Sequence, residues 1–313
     1  MTNTAASLLL VLTVIAAGCT KRASATLADG APPDTAEAVR VATIDWKAVD
    51  AAMGRPSVTQ PGDVHRFSMP RTDLSVTVDG VTLKPSLALG SWVSFKPISD
   101  GVIAMGDLVL RDGEVAPVMS RLQESGIEQT ALHHHLLRES PRVIYMHVHA
   151  HGDAVKIAGG LKAALALTGT PAAGTSGGPS SSDAGIDTAG IAKALGTTGR
   201  MNGGVYQISV PRAETIRDGR MEVAAVMGLA TAINFQPTSA GKAAITGDFV
   251  LIASEVNPVI RALKKNGIEV TSLHNHLLND EPRLFFMHFW AVDDAVKLAG
   301  GLRQALDLTA SSR

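Results

Sequence analysis

The chain has 313 residues, of which 45% are hydrophobic and 18% are charged. This composition excludes a wholly disordered protein, and the length suits two domains of ordinary size. The 28 Lys and Arg residues are matched by 29 Asp and Glu residues, which excludes the strongly basic surface typical of nucleic-acid-binding proteins. The single cysteine excludes an internal disulfide and a cysteine-based zinc knuckle. The sequence contains no Gly-rich phosphate-binding loop, so it predicts no nucleotide cofactor.

The amino terminus has the pattern of an export signal. An apolar run from Ala5 to Gly18 has the length of a signal-peptide core and is too short to span a bilayer comfortably. Small residues lie directly before Cys19, an arrangement typical of a bacterial lipobox, in which the cysteine is acylated. The residues before the apolar run carry no Lys or Arg, which departs from the usual charged start. We predict a lipoprotein-type signal peptide at 1–19, lipidated at Cys19, and a flexible tether at 20–43.

The rest of the chain consists of two copies of one unit, offset by about 141 residues. The segment LHHHLL at 132–137 returns as LHNHLL at 273–278, and EVAPV at 114–118 returns as EVNPV. A stretch rich in Gly, Ser and Pro, without apolar periodicity, separates the copies. The predicted domains are repeat unit 1 at 44–167, a Gly/Ser/Pro linker at 168–185 and repeat unit 2 at 186–310.

The element order can be predicted within each unit. The segment VIAMGDLVL at 102–110 has the composition of a strand. From Glu114 onward, apolar residues at i, i+3, i+4 and i+7 predict a helix, and Pro117 lies in its first turn. Two strands in a hairpin and a second helix follow. We therefore predict an α+β fold of two tandem repeats, each a mostly antiparallel sheet with β-α-β-β-α order and helices on one face.

Three smaller features occur in both copies. The Gly-Asp pair at 106–107 indicates a bulge or turn within its strand, and a role in a site is the less favoured interpretation. The paired glycines at 159–160 indicate close approach of the helix backbone to a neighbouring element, because glycine inside a helix is otherwise unfavourable. Arg71 and Arg212 each follow a proline, and a structural ion pair is a better interpretation for them than an anion site.

The chemistry of the chain is concentrated in histidines on two paired strands. Alternate side chains of a strand share a face, so His133 and His135 point together, as do His147 and His149. Residues i and i+2 lie about 6.6 Å apart and neighbouring strands about 4.8 Å apart, so three imidazoles can reach one ion. Neutral imidazoles suit zinc, copper or iron. The predicted metal ligands are His133, His135, His147, His149, His274, His276 and His288.

Two carboxylates are candidates for acid–base chemistry beside such an ion. Glu139 follows the first histidine cluster, and Asp153 lies just beyond the second strand. If the protein is an enzyme, the ion would activate water and one of these carboxylates would move protons.

These features together resemble the LppY/LpqO family of bacterial lipoproteins. The resemblance lies in the lipobox before Cys19, the two tandem units, HxHLL followed by Pro and Met-His, and DAVK followed by GGL. It covers roughly residues 44 to 310. The resemblance implies bacterial export, lipid anchoring in many members and a domain of unknown function. It implies no established activity, so no catalytic role is transferred.

The sequence leaves three functional hypotheses open. The first is an exported, lipid-anchored cell-envelope protein that binds a transition metal through its histidines. The second is a metal-dependent envelope hydrolase or lyase, and the third is a metal-free module that binds a small molecule or the cell wall. Each predicts contact with the membrane through the lipid anchor, facing the periplasm or the outer cell surface, and none involves nucleic acid. Whether the protein is an enzyme stays open at this level.

Overall fold

A computed structural model of the chain describes residues 42–174, 185–239 and 241–312. The predicted signal peptide with Cys19, nearly all of the tether and most of the linker lie outside the described residues. Within the described ranges, no helix has both the length and the apolar character needed to cross a membrane.

The first repeat alternates short helices with antiparallel strands. Its elements are α1 (Trp46–Met53), β1 (Val58–Gln60), β2 (Val64–Pro70), β3 (Thr77–Val78), β4 (Val81–Thr82), α2 (Pro85–Ala88), β5 (Gly90–Ile98), β6 (Gly101–Leu110), α3 (Asp112–Glu124), β7 (Glu128–His133), β8 (Ile144–Gly152) and α4 (Ala154–Leu165).

The second repeat follows the same order, with a 3-10 helix in the place of α2 and one additional short strand. Its elements are α5 (Thr188–Leu195), β9 (Arg200–Asn202), β10 (Val205–Pro211), β11 (Arg217–Asp218), β12 (Met221–Glu222), the 3-10 helix (Ala225–Met227), β13 (Ala230–Ser239), β14 (Lys242–Ile252), α6 (Ala253–Lys265), β15 (Glu269–His274), β16 (Asp280–Glu281), β17 (Leu284–Asp294) and α7 (Ala295–Leu306).

Each repeat is built on a six-stranded sheet. The first sheet has the order β1-β2-β5-β6-β8-β7, and the second has the equivalent order β9-β10-β13-β14-β17-β15. Every neighbouring pair in these two sheets is antiparallel. Two smaller sheets, β12-β11-β16 and β3-β4, lie beside them. The structure thus confirms a mixed fold of two similar halves with antiparallel sheets.

One face of each sheet is covered by helices. In the first repeat, Val118 of α3 and Leu161 of α4 pack with Met146 and Val148 of β8 in one buried cluster. An equivalent cluster in the second repeat joins α5, α6 and α7 to their sheet. Burial of these apolar stripes is the main free-energy gain available to helices that are individually short. The apolar face of β8 therefore lies under the helices, and its histidines point the other way.

The faces without helices pack against each other. One buried cluster combines Val109 and Tyr145 of the first repeat with Ala244 and Trp290 of the second. Another combines residues such as Met105 with apolar residues of the second repeat. The described part of the chain thus forms layers of helices, sheet, sheet and helices. Side chains that point away from the helices enter the space between the repeats.

The prediction of a bulge at Gly106 and Asp107 is wrong. Strand β6 pairs with β5 and β8 without any shift of register at these positions. A Cβ atom at Gly106 would lie 2.6 Å from the carbonyl oxygen of Trp92 and 2.7 Å from Cγ2 of Val93, so glycine lets the strands approach closely. The glycine belongs to a regular strand, and Asp107 points into the space between the repeats.

The paired arginines form buried ion pairs, as the sequence indicates. Arg71 is fully buried. Its guanidinium donates to Asp73 through Nε at 2.8 Å and to Glu114 through Nη1 at 2.8 Å. Arg212 forms the same arrangement with Glu214 and Glu255. Each arginine thus fastens the end of a strand to the first turn of a helix.

Candidate metal centre

The first repeat places four polar side chains in the space between the sheets. Asp107 of β6 lies directly opposite His147 of β8, since these residues are partners in the strand ladder. His133 is the last residue of β7 and pairs with Tyr145. His135 follows β7, and its ring stacks on that of Tyr145 with centroids 3.3 Å apart. The strand ladder therefore fixes the positions of these groups.

The second repeat supplies the equivalent side chains. Asp248 of β14 is the ladder partner of His288 of β17. His274 ends β15, and the ring of His276 stacks on that of Phe286 at 3.5 Å. We call the combined set the histidine–aspartate cluster. It consists of Asp107, His133, His135, His147, Asp248, His274, His276 and His288.

The two halves of the cluster interleave across an approximate two-fold axis. The rings of His133 and His274, which are equivalent positions, stack with centroids 3.7 Å apart. The ring of His135 stacks on that of His288 at 3.7 Å. The reciprocal contact joins His147 and His276 at 3.9 Å. All six imidazoles therefore belong to one site that neither repeat forms alone.

Reciprocal hydrogen bonds hold the loops that carry His135 and His276. The hydroxyl of Thr130 donates to the carbonyl oxygen of His276 at 2.6 Å. The hydroxyl of Thr271, the equivalent residue, donates to the carbonyl oxygen of His135 at 2.6 Å. The strand end of one repeat therefore positions the histidine loop of the other.

Backbone carbonyls fix the orientation of three imidazoles. Nδ1 of His288 lies 2.7 Å from the Gly247 oxygen, Nδ1 of His276 lies 3.2 Å from the Gly228 oxygen, and Nδ1 of His133 lies 3.1 Å from the His134 oxygen. Because a carbonyl oxygen only accepts, Nδ1 carries the proton and Nε2 keeps a free lone pair. This arrangement is the one that metal-ligating histidines use.

The free nitrogens converge. Nε2 of His133 and Nε2 of His147 are 3.0 Å apart. Nε2 of His276 lies 3.0 Å from Nε2 of His274 and 3.1 Å from Oδ2 of Asp248. Two nitrogens bound to one tetrahedral zinc would be separated by about 3.4 Å, given bonds of about 2.1 Å. The two observed N–N distances are shorter and also suit a hydrogen bond, so ligation of one ion by either pair requires a small outward shift of the rings.

Several cluster atoms are buried without a hydrogen-bond partner among the described residues. Buried polar atoms normally have a partner, because desolvation without compensation is costly. A bound cation would supply a partner to each of these atoms that coordinates it. They are Oδ1 of Asp107, Nε2 of His135, Oδ1 of Asp248, Nδ1 of His274 and Nε2 of His288.

The cluster favours neutral imidazoles. Burial lowers the pKa of His133 to about 3. Burial, reinforced for most of them by neighbouring histidines, also lowers the pKa values of His135, His147, His274 and His288. Neutral imidazole is the form that binds a metal.

The two carboxyls differ. Burial and the charge of Asp248 raise the pKa of Asp107 to about 8. Burial acts on Asp248 as well, but the neighbouring His288 and His276 outweigh it and hold its pKa below the usual value. A cation between the two carboxyls would relieve their mutual repulsion.

Four sets of three ligand atoms within the cluster lie within 4.8 Å of one another. Two sets cross between the repeats, and two come from a single repeat. They are His133, His147 and His274; His133, His135 and His288; Asp107, His135 and His147; and Asp248, His274 and His276.

Six of the seven histidines predicted as ligands enter the cluster, and His149 does not. Nε2 of His149 lies 2.8 Å from Oδ2 of Asp218 at the edge of the other repeat. His147 and His149 lie on the same face of β8, as the sequence predicts, but His149 extends to Asp218 instead of entering the cluster.

The two predicted acid–base residues lie outside the histidine–aspartate cluster. Glu139 accepts from the backbone nitrogen of Val143 at 3.3 Å and braces the hairpin, and burial raises its pKa to about 7. Asp153 caps α4 by accepting from the backbone nitrogen of Lys156 at 2.8 Å. Neither belongs to a metal-holding group in the described ranges.

Sequence reasoning missed Asp107 and Asp248 as members of the site. A signal for them existed, since each is a single charged residue within an otherwise apolar strand segment and occurs in both copies. A buried charge in such a strand requires a partner.

One protein-family model matches the chain twice, once in each repeat. The family model described as Domain of Unknown Function (DUF1259) matches residues 47–167 and again 189–308. The chain belongs to this family. Its two DUF1259 domains are the two repeats whose facing sides form the histidine–aspartate cluster. Among curated proteins, no significant sequence match exists.

Two solved structures show remote similarity to the DUF1259 chain. One is a trimeric bacterial microcompartment shell protein, PduB, at 12% identity, covering 82% of this chain and 92% of that one with a TM-score of 0.22. The other is EtuB from Clostridium kluyveri, at 12% identity, covering 80% and 90% with a TM-score of 0.19. At these TM-scores, neither similarity supports an inference about fold or function.

Proposed function

We propose that this protein binds a transition metal between its two DUF1259 domains and acts in the bacterial cell envelope. The observation that carries the proposal is the histidine–aspartate cluster, in which six imidazoles and two carboxylates converge with unpartnered lone pairs. A polar face that served packing alone would pair these atoms with one another or with the backbone.

The donor set restricts the metal. Imidazole nitrogens with carboxylate oxygens suit zinc, copper or iron, whereas sites for magnesium or calcium are built from oxygen ligands. The cluster has six nitrogen-bearing and two oxygen-bearing groups. The proposed cofactor is therefore a zinc, copper or iron ion.

The location in the envelope rests on the sequence. The apolar run before Cys19 and the resemblance to the LppY/LpqO lipoproteins support export and a lipid anchor. The proposed partners are the membrane, through that anchor, and a small-molecule or cell-wall ligand.

Metal-dependent hydrolysis or lyase chemistry is the second candidate from the sequence, and the geometry favours it less. Such an enzyme requires a carboxylate or histidine that moves protons beside the bound ion. Glu139 and Asp153, which the sequence offers for this role, act on a hairpin and a helix end. We therefore propose metal binding without assigning a reaction.

The proposal is tested by metal analysis of the purified full chain using mass spectrometry. We expect zinc, copper or iron in the wild type and a lower content in the double variant His133→Ala/His135→Ala. The matched control is His134→Ala/His151→Ala, because His134 lies between the two substituted histidines, His151 lies on β8, and neither belongs to the cluster. Circular dichroism establishes that all three chains are folded.

The metal content of the wild type and of the two variants decides the proposal. A metal content that falls in the cluster variant and is unchanged in the control supports the proposal. A wild-type chain that holds no metal after incubation with each ion and dialysis would contradict it and would favour a metal-free binding module.

A further inference from the structure

The number of donors in the cluster exceeds what one ion can use. Zinc takes four ligands in most protein sites, and octahedral ions take six. The cluster brings together eight groups that could each offer one ligand atom. A mononuclear site would therefore leave buried ligands unsatisfied.

The ligand sets that cross between the repeats cannot account for the cluster. Both contain His133, so one ion in either set excludes the other. Neither crossing set includes an aspartate. Unpartnered oxygen atoms would remain at Asp107 and Asp248. A single shared ion thus leaves both carboxylates without a cation.

The two ligand sets that each come from a single repeat account better for the cluster. Asp107, His135 and His147 form one set, and Asp248, His274 and His276 form the other, with no residue in common. The remaining two histidines lie beside the set of their own repeat. Nε2 of His133 is 3.0 Å from that of His147, and Nε2 of His288 is 4.0 Å from Oδ2 of Asp248.

From this partition, and resting on the proposed function, we propose a binuclear centre with two ions, one for each repeat. Each ion has three histidines and one aspartate as ligands, which is the number that tetrahedral zinc requires. The first set is Asp107, His133, His135 and His147, and the second is Asp248, His274, His276 and His288.

Three features support two ions in one centre. The two sets are equivalent under the offset of about 141 residues, so duplication of a unit with one site yields two sites. Both repeats contain buried ligand atoms without a partner. The rings of His133 and His274 stack at 3.7 Å, which makes the two sites immediate neighbours.

The experiment is a titration of the metal-free full chain with Zn²⁺. Calorimetry monitors the titration, and mass spectrometry after gel filtration counts the zinc ions bound to each chain. We expect about two equivalents in the wild type. The equivalent variants His135→Ala and His276→Ala each remove a ligand from one set, so each is expected to retain about one equivalent. His151→Ala, outside the cluster, is the control and retains two.

A second pair of variants covers the case in which alanine disturbs the fold. Asp107→Asn and Asp248→Asn keep the size of the side chain and remove its charge, and each is expected to weaken one of two binding steps. Titration with Co²⁺ adds a spectroscopic readout. Two neighbouring cobalt ions couple magnetically, so the electron paramagnetic resonance signal per cobalt falls as the second site fills.

The outcomes separate this inference from the proposed function. One equivalent in the wild type, lost completely in either the His135 or the His276 variant, would overturn the binuclear centre and leave a mononuclear metal protein. A Co²⁺ signal that rises in proportion through two equivalents would also overturn it. No bound metal in the wild type would overturn the proposed function itself.

Discussion

At the scale of single residues, the backbone prepares the imidazoles for a cation. Three of the six cluster histidines donate Nδ1–H to a carbonyl oxygen, as His288 does to Gly247 at 2.7 Å. Rings fixed in this way lose little further freedom when an ion binds. The unpartnered lone pairs are a cost to the metal-free fold, because burial without a partner is unfavourable. The cluster is therefore a site whose stability and ligand binding are linked.

The first prediction concerns the pH dependence of the metal-free chain. Five cluster imidazoles have pKa values lowered by burial, to about 3 for His133, against 6.5 in the unfolded chain. On acidification the unfolded state takes up protons first, so stability falls below about pH 6.5. Asp107 acts oppositely, because its pKa is raised to about 8, but one carboxyl is outweighed by five imidazoles.

We therefore expect the melting temperature in chelator to be highest near neutral pH and to fall steeply between about pH 6.5 and 5. Thermal unfolding followed by circular dichroism measures it. The exposed His151→Gln variant is the control, because its pH profile should match the wild type. A melting temperature that is constant over this range would show that the cluster histidines do not titrate on unfolding.

The second prediction concerns the buried arginine of the first repeat. Removing one partner of a buried ion pair leaves the other charges uncompensated and costs about 3–5 kcal/mol. We expect Arg71→Met to lower the free energy of unfolding by about this amount, because its partners Asp73 and Glu114 stay behind. Urea unfolding measures the change.

The matched control for Arg71 is Arg111→Met. The Arg111 side chain is 54% exposed and contacts the same Asp73 at 3.3 Å, so its loss is expected to cost less than about 1 kcal/mol. Equal effects of the two substitutions would refute the assignment of Arg71 as a structural ion pair.

At the scale of elements, close approaches decide where glycine is needed. A Cβ atom at Gly160 of α4 would lie 2.6 Å from Cβ of Ser125, just beyond α3. The neighbouring Gly159 has nothing within 4 Å of the same position. The second repeat reproduces the difference, with Gly301 against Asn266. The sequence predicts a close approach for the pair, and the structure assigns it to the second glycine.

The third prediction follows from this difference. Gly159→Ala should stabilise the chain by up to about 1 kcal/mol, because alanine is the better helix former and meets open space. Gly160→Ala should destabilise it by about 1–3 kcal/mol, because the helices must move apart. Urea unfolding of both variants gives the comparison. Stabilisation by both would show that α3 and α4 do not pack closely at Gly160.

At the scale of the whole molecule, the sequence predicts the repeats but not how they meet. Periodicity predicts the histidine strands and the helical faces, since each depends on neighbours within a few residues. The packing of one sheet on the other depends on contacts such as His135 with His288, about 150 residues apart in the chain. No local pattern encodes such a contact.

The absence of a local pattern also explains why the sequence predicts a bulge at Asp107 and not a residue of the shared site. Glycine within a strand often marks a bulge, so Gly106 alone accounts for the local pattern and the aspartate receives no separate role. Only the opposing repeat shows that the carboxylate enters a shared site. The sequence predicts His149 as a ligand because it lies on the same strand face as His147. Its distance from the cluster depends on the packing of the whole molecule, which no local pattern gives.

The last prediction concerns the coupling of metal binding to the stability of the two repeats together. A ligand that binds only the folded chain stabilises it by about 2.7 kcal/mol when present at 100 times its dissociation constant. The interleaved histidines, such as His147 stacked on His276 at 3.9 Å, belong to both repeats. We therefore expect Zn²⁺ to raise the melting temperature of the whole chain in one cooperative transition.

The measurement is calorimetric unfolding with and without Zn²⁺, reversed by chelator. The His133→Ala/His135→Ala variant changes only first-repeat ligands and should show a smaller shift of the single transition, whereas His134→Ala/His151→Ala should keep the full shift. If Zn²⁺ instead split the transition in two and raised the melting temperature of only one half, the repeats would be stabilised separately. The stacked rings would then not couple them, because a site shared by both sheets requires that they unfold together.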